Sequence, residues 1–431
     1  MSHKRILTNL SILFLIYILN FSSCLADDSS PNKEDIQRFA NTLYQIKQYY
    51  VSKVNDSELF DNAIRGMLNG LDPHSTYLND NDYKELEIAA SGNFAGLGIE
   101  VTTDNGVIKI VTPLVDGPAY RAGIKPGDYI LKIDSHVTQG LSLEQAVKLM
   151  RGKTNSTVKL VIVRKDQKKP LFFDIKREKI AMKSVASKLL NGHFGYIRLA
   201  QFQENTAKDM QAAVAGLELE SHGRLKGLIL DLRNNPGGLL NSAIEVADAF
   251  IDSNQQKKLI VYTEGRLPET KFTALATPGD ILHRAPLVVL INSGSASAAE
   301  IVAGALKDNK RALMLGTQSF GKGSVQTVIP LSEHQAIKLT TALYYTPSGT
   351  SIQAKGITPD IVIRDLHIPK EGNNPLIDYN EASLSGHLVA KPAKKTIVKL
   401  AQKDNQDLIN EDFQLYSALT ILQSLGLQAQ R

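Results

Sequence analysis

Three serines lie in the stretch INSGSASAAEIVAGALKDN (residues 291–309), where an apolar segment leads into a helical pattern. Ser293, Ser295 and Ser297 are each a candidate nucleophile, but no histidine lies nearby to accept a proton. Ser297 is expected where the helix begins, and free N–H groups and the helix dipole at that point stabilise the negative charge that develops on an attacked carbonyl. Taken alone, the stretch favours an ordinary N-cap serine, which is common in α/β proteins.

A candidate base follows in GTQSFGKGSVQTVIPL (residues 316–331), where Lys322 lies between Gly321 and Gly323. A lysine accepts a proton only when it is neutral, and burial lowers its pKa from an ordinary value of about 10.4. A buried Lys322 beside a serine hydroxyl is therefore a workable general base, and Gln326 is spaced to hydrogen-bond and orient it. The competing interpretation of Lys322 is a solvated loop charge.

A possible oxyanion hole follows from LRNNPGGLL (residues 232–240), in which a strand pattern ends in a Gly-Gly turn. Gly237 and Gly238 can bring backbone N–H groups close to a ligand, and the N–H of Ala298 could complete the site. A Pro-Gly-Gly turn is weak evidence by itself.

Histidine chemistry and metal binding have less support. The sequence contains no H-x-x-x-H pattern and no G-x-S-x-G elbow, and neither His74 nor His193 has the spacing of a metal site. We therefore expect no metal and no cofactor. A Ser-His-Asp hydrolase would have to recruit a distant histidine, which is possible because such triads assemble in space.

These residues need a scaffold, and alternating strand and helix patterns occur between residues 194 and 365. Apolar strands such as GLILDLR (227–233) and PLVVLIN (286–292) alternate with helical patterns at 206–219 and 240–251. This alternation predicts an α/β layer architecture.

A separate strand-rich module is predicted for residues 91–178. Its strands are expected at 96–103, 106–114, 129–134 and 158–164, with one helix over 142–152 that opens with a capping box. Two amphipathic helical patterns precede the module, and another follows a polar stretch of about forty residues that begins at residue 367. That last pattern predicts a terminal helix around residues 413–425.

The N-terminus has the three-part plan of a secretory signal peptide: two basic residues, a short apolar run and small residues before Asp27. Cleavage after Ala26 would remove Cys24, the only cysteine, and leave no thiol or disulfide. Lipid attachment at Cys24 and an uncleaved N-terminal anchor are the alternatives. The formal net charge of +5 without a dense basic block gives no support to nucleic-acid binding.

Several segments together resemble the carboxyl-terminal processing proteases, also called tail-specific proteases. They are LDPHSTYL, GLGIEV, LRNNPGGLL, SASAAEIVAGALKD, FGKGSVQ and YYTPSGTSIQAKGITPDI. The resemblance extends from about Glu34 to Leu427. It implies that Ser297 is the nucleophile, Lys322 the general base and Gln326 a supporting residue.

The resemblance also implies a fold, a crotonase-like α/β protease core with an inserted PDZ domain and flanking helical segments. The expected divisions are a signal peptide (1–26), an N-terminal helical region (27–90), the PDZ domain (91–178), the serine protease core (179–366) and a polar linker with a C-terminal helical region (367–431). Three departures from the family pattern, Ala299, Leu343 and Thr350, do not affect the catalytic positions.

A PDZ domain captures an extended peptide tail by strand addition and holds the terminal carboxylate with backbone N–H groups. The segment GLGI supplies those of Leu97, Gly98 and Ile99. Leu97 and Ile99, together with Val147 and Met150 on the predicted helix, are candidates for the pocket that binds the last side chain. Ordinary core packing is the alternative for these four residues.

The expected function is that of a secreted serine endopeptidase of the periplasm or cell envelope, which binds the apolar C-termini of proteins and cleaves them. An activating adaptor protein and self-association are further expectations. The alternatives are a non-enzymatic PDZ adaptor that binds protein tails, and an acyl-CoA enzyme on a crotonase-like core.

Overall fold

The structure is a computed structural model that describes residues 32–114, 116–165, 167, 169–333, 335–364, 366 and 408–428. The predicted signal peptide with Cys24, and the polar stretch from 367 to about 406, lie outside these residues. The chain divides into two units, residues 1–71 and 72–431. Residues 72–90, which the sequence grouped with the N-terminal helices, belong to the second unit.

The main helices, in chain order, are α1 (Lys33–Tyr49), α2 (Asp56–Asn69), α3 (Asp80–Ser91), α4 (Pro118–Arg121), α5 (Leu143–Met150), α6 (Thr206–Glu220), α7 (Leu240–Asp248), α8 (Ala298–Asp308) and α9 (Phe413–Gln428). The strands are β1 (Thr76–Leu78), β2 (Asn93–Gly96), β3 (Ile99–Asp104), β4 (Val107–Pro113), β5 (Tyr129–Ile133), β6 (His136–Val137), β7 (Thr157–Val163), β8 (Leu171–Lys176), β9 (Glu178–Ala181), β10 (Val185–Leu190), β11 (Phe194–Leu199), β12 (Gly227–Asp231), β13 (Leu259–Gly265), β14 (Phe272–Leu275), β15 (Leu287–Ile291), β16 (Leu313–Gly316), β17 (Ser324–Ser332), β18 (Gln335–Tyr345) and β19 (Ile361–Val362).

The described part of the first unit is a pair of helices, α1 and α2, as the apolar spacing predicts. Asn32 and Asn55 cap them by accepting hydrogen bonds from backbone N–H groups two residues further on. Lys47 forms an ion pair of 2.8 Å with Asp56 at the start of α2.

The α/β core is built on a six-stranded sheet in the order β10-β11-β12-β15-β16-β19. Strand β10 is antiparallel to β11, and the remaining pairs are parallel. Helices α6, α7 and α8 contribute to the hydrophobic cluster on one face, and α9 contributes to a separate cluster with sheet residues such as Ile229 and Leu290. Helices therefore cover both faces, which confirms the predicted α/β class and explains the fully buried strands.

A second sheet of the core, in the order β1-β18-β13-β14 with β17 paired to β18, is antiparallel. Strand β17 follows the glycine-flanked lysine directly, and β1 carries residues of LDPHSTYL onto the far edge of β18. Thr76 lies opposite Lys338 in this pairing. Segments separated by more than 250 residues thus meet beside the loop that carries Lys322 (residues 317–323, the lysine loop).

The inserted module has its own sheet, in the order β3-β4-β5-β7-β8 with β6 paired to β5. Its hydrophobic cluster draws on α5 and on these strands, with Ile108, Ile130 and Ile162 fully buried. The helix and four strands agree with the sequence prediction, and the structure adds β6, β8 and the short helix α4. Strands β2 and β9 form a two-stranded ribbon where the module joins the core.

Candidate active site

Ser297 lies between strand β15 and helix α8, in a strained conformation. Its backbone has φ 54° and ψ −113°, a region that L-residues other than glycine rarely adopt. Such conformations cost roughly 1–3 kcal/mol and concentrate at functional sites. The residue immediately precedes α8, so its side chain lies at the positive end of the helix dipole.

The structure separates Ser297 from the other two serines of the loop. The hydroxyl of Ser295 is fully buried, donates to the carbonyl of Leu232 at 2.7 Å and accepts the N–H of Asn292 at 3.0 Å. Ser293 is exposed on the outer part of the loop, whereas Ser297 is half-buried. Ser295 therefore links the loop of residues 292–297 (the serine loop) to the end of strand β12, which precedes the Gly-Gly turn. This role is structural.

The Gly-Gly turn lies directly against Ser297. A Cβ atom on Gly237 would be 2.9 Å from the Cβ of Ser297 and 3.1 Å from the amide nitrogen of Ala298. The N–H of Gly237, however, donates to the Asn235 side chain at 2.9 Å. This bond corrects the sequence interpretation in one respect, because an N–H that is already engaged is a poor oxyanion donor. Gly238 and Ala298 remain the candidates.

Lys322 is half-buried, and burial lowers the pKa of its ammonium group. The positive charge of Lys338 lowers that pKa further, while the negative charge of Asp72 raises it. Among the residues that the structure describes, no carboxylate forms an ion pair with Lys322. The lysine is therefore biased towards the neutral form, which is the form that can accept a proton.

Gln326 does not bond to Lys322, in contrast to the sequence expectation. Its amide donates to Ser324 Oγ at 2.9 Å and to Thr340 Oγ1 at 3.3 Å. The reason is the register of β17 with β18, which places Gln326 opposite Thr340. Thr340 in turn donates to Asp72 Oδ1 at 3.1 Å, and the negative charge of Asp72 acts on the pKa of Lys322.

The sequence analysis did not identify Asp72, and it considered the nearby His74 only as a metal ligand. Burial tends to raise the pKa of Asp72, but hydrogen bonds from Ser75, His74 and Thr340 outweigh it and lower that pKa. Burial and then the charge of Lys322 lower the pKa of His74. The segment LDPHSTYL thus places one negative charge and one neutral imidazole within electrostatic range of Lys322.

Sequence reasoning also missed Glu300, whose side chain is fully buried. Its Oε2 accepts the N–H of Ser297 at 2.8 Å and the N–H of Lys322 at 2.9 Å. The available signal was the spacing S-x-x-E from Ser297 to Glu300, which is that of a capping box. The shared oxygen atom establishes that the serine and lysine backbones are neighbours. No hydrogen bond joins Ser297 Oγ to Lys322 Nζ in the described part of the chain, and such bonds are often long before substrate binds.

The predicted tail-binding residues lie together in the inserted module. Strand β3 is an edge of its sheet and packs near helix α5. Ile99 and Val147 are half-buried, whereas Leu97 and Met150 are buried in the hydrophobic cluster. Gly98 has φ 65°, and a Cβ there would be 3.3 Å from the Ile180 side chain of β9. Core packing, the alternative interpretation, therefore accounts for Leu97 and Met150, and Ile99 and Val147 keep part of their surface exposed.

Metal binding and membrane spanning were considered for the residues that the structure describes. No group of three or more His, Cys, Asp or Glu side chains is arranged there to hold a metal ion. None of the helices in the described ranges combines the length and the apolar character needed to cross a membrane.

Comparison with known proteins places these features in a family. The sequence profile of Peptidase family S41 matches residues 193–363, that of the PDZ domain residues 110–164, and that of the Activating protease CtpB N-terminal domain residues 22–82. The chain is 45% identical over 375 residues to a carboxy-terminal-processing protease of Bartonella bacilliformis, over 87% of this chain and 85% of that one.

Other relatives carry similar descriptions. The carboxy-terminal processing protease CtpA of Bacillus subtilis is 35% identical over 390 residues, which cover 90% of this chain and 80% of that one. A solved structure of a photosystem II D1 C-terminal processing protease has 30% sequence identity and a TM-score of 0.45, over 78% of this chain and 94% of that one.

A serine held at a helix N-terminus beside a half-buried lysine, on an α/β core with an inserted PDZ domain, defines a PDZ-containing serine-type peptidase. The relatives extend over most of the chain. The chain belongs to the carboxy-terminal-processing proteases of peptidase family S41.

Proposed function

We propose that this protein is an exported endopeptidase that captures the C-terminal tail of a protein substrate with its PDZ domain and cleaves the substrate with Ser297 and Lys322. The observation that carries the proposal is the shared carboxylate oxygen, to which the backbone N–H groups of both residues donate. It makes a strained serine and a lysine of lowered pKa immediate neighbours. The names of the relatives support tail cleavage.

The reaction is an acyl transfer in two stages. Neutral Lys322 takes the proton as Ser297 Oγ attacks the scissile carbonyl, and the Lys322 ammonium then protonates the departing amine. The N–H groups of Ala298 and Gly238 hold the oxyanion. Water, deprotonated by Lys322, then hydrolyses the ester on Ser297 and regenerates the free enzyme.

Gln326 is a supporting residue in this proposal, and its contacts specify how it would act. It fixes Thr340, which binds Asp72, and Asp72 is the negative charge that opposes the lowering of the Lys322 pKa. Replacing Gln326 should therefore change the pH dependence of cleavage more than it changes substrate binding.

The PDZ domain would bind the tail along β3, with the carboxylate at the N–H groups of Leu97, Gly98 and Ile99. This loop continues directly into β2, which pairs with β9 at the junction with the core. Gly98 also approaches Ile180 of β9. A bound tail therefore lies against the junction, and we propose that its binding controls access to Ser297.

The test uses a protein substrate that ends in apolar residues, with cleavage followed by mass spectrometry. Ser297→Ala and Lys322→Ala should both abolish cleavage while circular dichroism and melting remain those of a folded chain. Full activity in Lys322→Ala would refute the dyad. The matched control is His74→Phe, because retention of activity there excludes the neighbouring imidazole as the base.

Gating has its own test. A short peptide with an apolar last residue and a free carboxylate should accelerate labelling of Ser297 by a fluorophosphonate, and the amidated peptide should not. Equal labelling rates with and without the peptide would contradict gating. A PDZ adaptor without activity would bind the same peptide but cleave nothing, so the cleavage assay distinguishes it.

Location and assembly are further parts of the proposal. The signal-peptide pattern of residues 1–26 supports export to the periplasm or cell envelope, and amino-terminal sequencing of the exported chain distinguishes cleavage after Ala26 from lipid attachment at Cys24. An activating partner is a further part of the proposal, for which the helices at both ends of the chain offer docking surfaces. Light scattering of the purified chain tests self-association.

A further inference from the structure

The carboxylate of Glu300 accepts four hydrogen bonds, two on each oxygen atom. Oε2 accepts the backbone N–H groups of Ser297 at 2.8 Å and Lys322 at 2.9 Å. Oε1 accepts the hydroxyl of Ser319 and the backbone N–H of Gly321, both at 2.6 Å. Three of the four donors belong to the loop that carries the lysine, and the fourth belongs to the nucleophile itself.

The burial of this group shows how much depends on the four bonds. Glu300 has no exposed surface, and within the described residues no lysine or arginine forms an ion pair with it. A buried carboxylate is costly unless donors surround it, and charge-assisted bonds from N–H and O–H groups are the strong kind. The position in the first turn of α8 adds the favourable helix dipole. The carboxylate is therefore satisfied only when the serine loop and the lysine loop both close on it.

The network extends one step further. Ser319 Oγ, which donates to Glu300, also accepts the N–H of Ile357 at 2.6 Å. The lysine loop is thus held between the carboxylate and the segment that follows β18. A Cβ on Gly321 would lie 3.1 Å from backbone nitrogens of residues 355 and 356, so the loop has little room to shift.

A helix cap alone does not explain this arrangement. An acidic or amide residue at the third position of a helix often accepts the N–H of the N-cap residue, which here is Ser297. That role accounts for one of the four bonds. It does not account for the bonds from Ser319, Gly321 and Lys322, which lie 19 to 22 residues further along the chain.

We infer that Glu300 is a positioning residue for catalysis, which sets the distance between the nucleophile and its base by holding the backbone of each. The inference rests on the proposed Ser297–Lys322 mechanism. Glu300 touches neither the substrate nor the reacting atoms, so its contribution lies in the rate of bond formation and not in the binding of the tail.

Glu300→Gln separates the two roles. Glutamine still accepts the N–H of Ser297 and so preserves the cap, because glutamine serves in capping boxes as well as glutamate does. The oxygen that keeps the bond from Ser297 also keeps the bond from Lys322, but the amide nitrogen in place of Oε1 cannot accept the bonds from Ser319 and Gly321. We expect kcat to fall by roughly 10- to 100-fold with KM nearly unchanged, because small misplacements of reacting groups have effects of that order. The rate of Ser297 labelling by a fluorophosphonate should fall in parallel.

The controls distinguish positioning from a general loss of stability. Asp280→Asn removes another carboxylate of the core, whose side chain is 5% exposed, binds Arg311 and makes no hydrogen bond to the residues of the site. It should lower the melting temperature and leave the labelling rate of the folded protein unchanged. If Glu300→Gln does not fold, Ser319→Ala provides the second variant, and it should lower kcat without raising KM.

The double variant gives a sharper readout. Because Ser319 acts through Glu300, the effects of Glu300→Gln and Ser319→Ala on kcat should be clearly less than additive. A wild-type kcat in Glu300→Gln, or full additivity in the double variant, would overturn the inference. Lys322→Ala reports separately on the dyad. A slow Lys322→Ala with a wild-type Glu300→Gln refutes only the positioning role, whereas a fully active Lys322→Ala refutes the dyad and the positioning role with it.

Discussion

Gly237→Ala adds one methyl group beside the proposed nucleophile, and its effect can be worked out from the structure. The new Cβ would lie 2.9 Å from the Cβ of Ser297 and 2.9 Å from the carbonyl oxygen of Ala296. Ordinary contacts between carbon atoms lie at about 3.5–4.0 Å, so Ser297 must move by about 0.5–1 Å. A displacement of about 1 Å at a reacting group costs on the order of 100-fold in rate, or about 2.7 kcal/mol of transition-state stabilisation.

Gly279→Ala is the matched control, because it separates backbone strain from the contact with Ser297. Gly237 has φ 106° and Gly279 has φ 126°, so both substitutions force an L-residue into an unfavourable conformation that costs roughly 1–3 kcal/mol. A Cβ on Gly279 has no atom within 4 Å. Both variants should therefore lose stability, and only Gly237→Ala should lose most of its activity.

The assay combines thermal melting, kcat for a tailed substrate, and the rate at which a fluorophosphonate labels Ser297. We expect melting temperatures to fall by roughly 2–4 °C for each kcal/mol of strain in both variants. The labelling rate should fall on the order of 100-fold in Gly237→Ala and stay within about twofold of wild type in Gly279→Ala. Equal labelling rates in the two variants would refute the placement of the Gly-Gly turn against the nucleophile.

Three further predictions concern charge, the neighbouring serine and the tail site. Lys338→Met removes a positive charge that lowers the Lys322 pKa, so it should shift the rising limb of the pH–kcat profile to higher pH. Asp72→Asn removes a negative charge that raises this pKa, so it should shift the same limb to lower pH. Shifts in the same direction would contradict the assignment of Lys322 as the base. Ser295→Ala removes the acceptor of the Asn292 N–H and one of two donors to the Leu232 carbonyl, so it should cost about 1–3 kcal/mol in a denaturant titration while the folded protein keeps most of its kcat. An inactive, folded Ser295→Ala would reassign the nucleophile. Val147→Asp places a negative charge near the bound carboxylate, and the repulsion between them should raise KM for tailed substrates roughly tenfold. An unchanged KM would contradict this location of the tail site.

The elements with strong local patterns were predictable from the sequence. The parallel strands of the core are continuous apolar runs, and helix α5 has its Ser142 capping box, which the structure contains. Helix α3 was not predicted, because its apolar residues do not form a regular stripe. Its signal was the cap at Asn79, which bonds reciprocally with Asp82.

The site was predictable only in part, because its contacts join distant segments. The motifs pointed to Ser297 and Lys322, but the partner of Gln326 depends on the register of β17 with β18. Asp72 meets Thr340 across 268 residues of sequence. A capping-box spacing marked Glu300, yet its bonds to the lysine loop follow from the packing of that loop and not from any local pattern.

The most direct test of the central claim is to map the covalent adduct of a fluorophosphonate by peptide mass spectrometry, across pH, in wild type and Lys322→Ala. We predict that the adduct lies on Ser297, that its rate in wild type rises with pH as Lys322 loses its proton, and that this rise is lost in Lys322→Ala. An adduct on another serine, or an unchanged pH dependence in Lys322→Ala, would contradict the proposed mechanism.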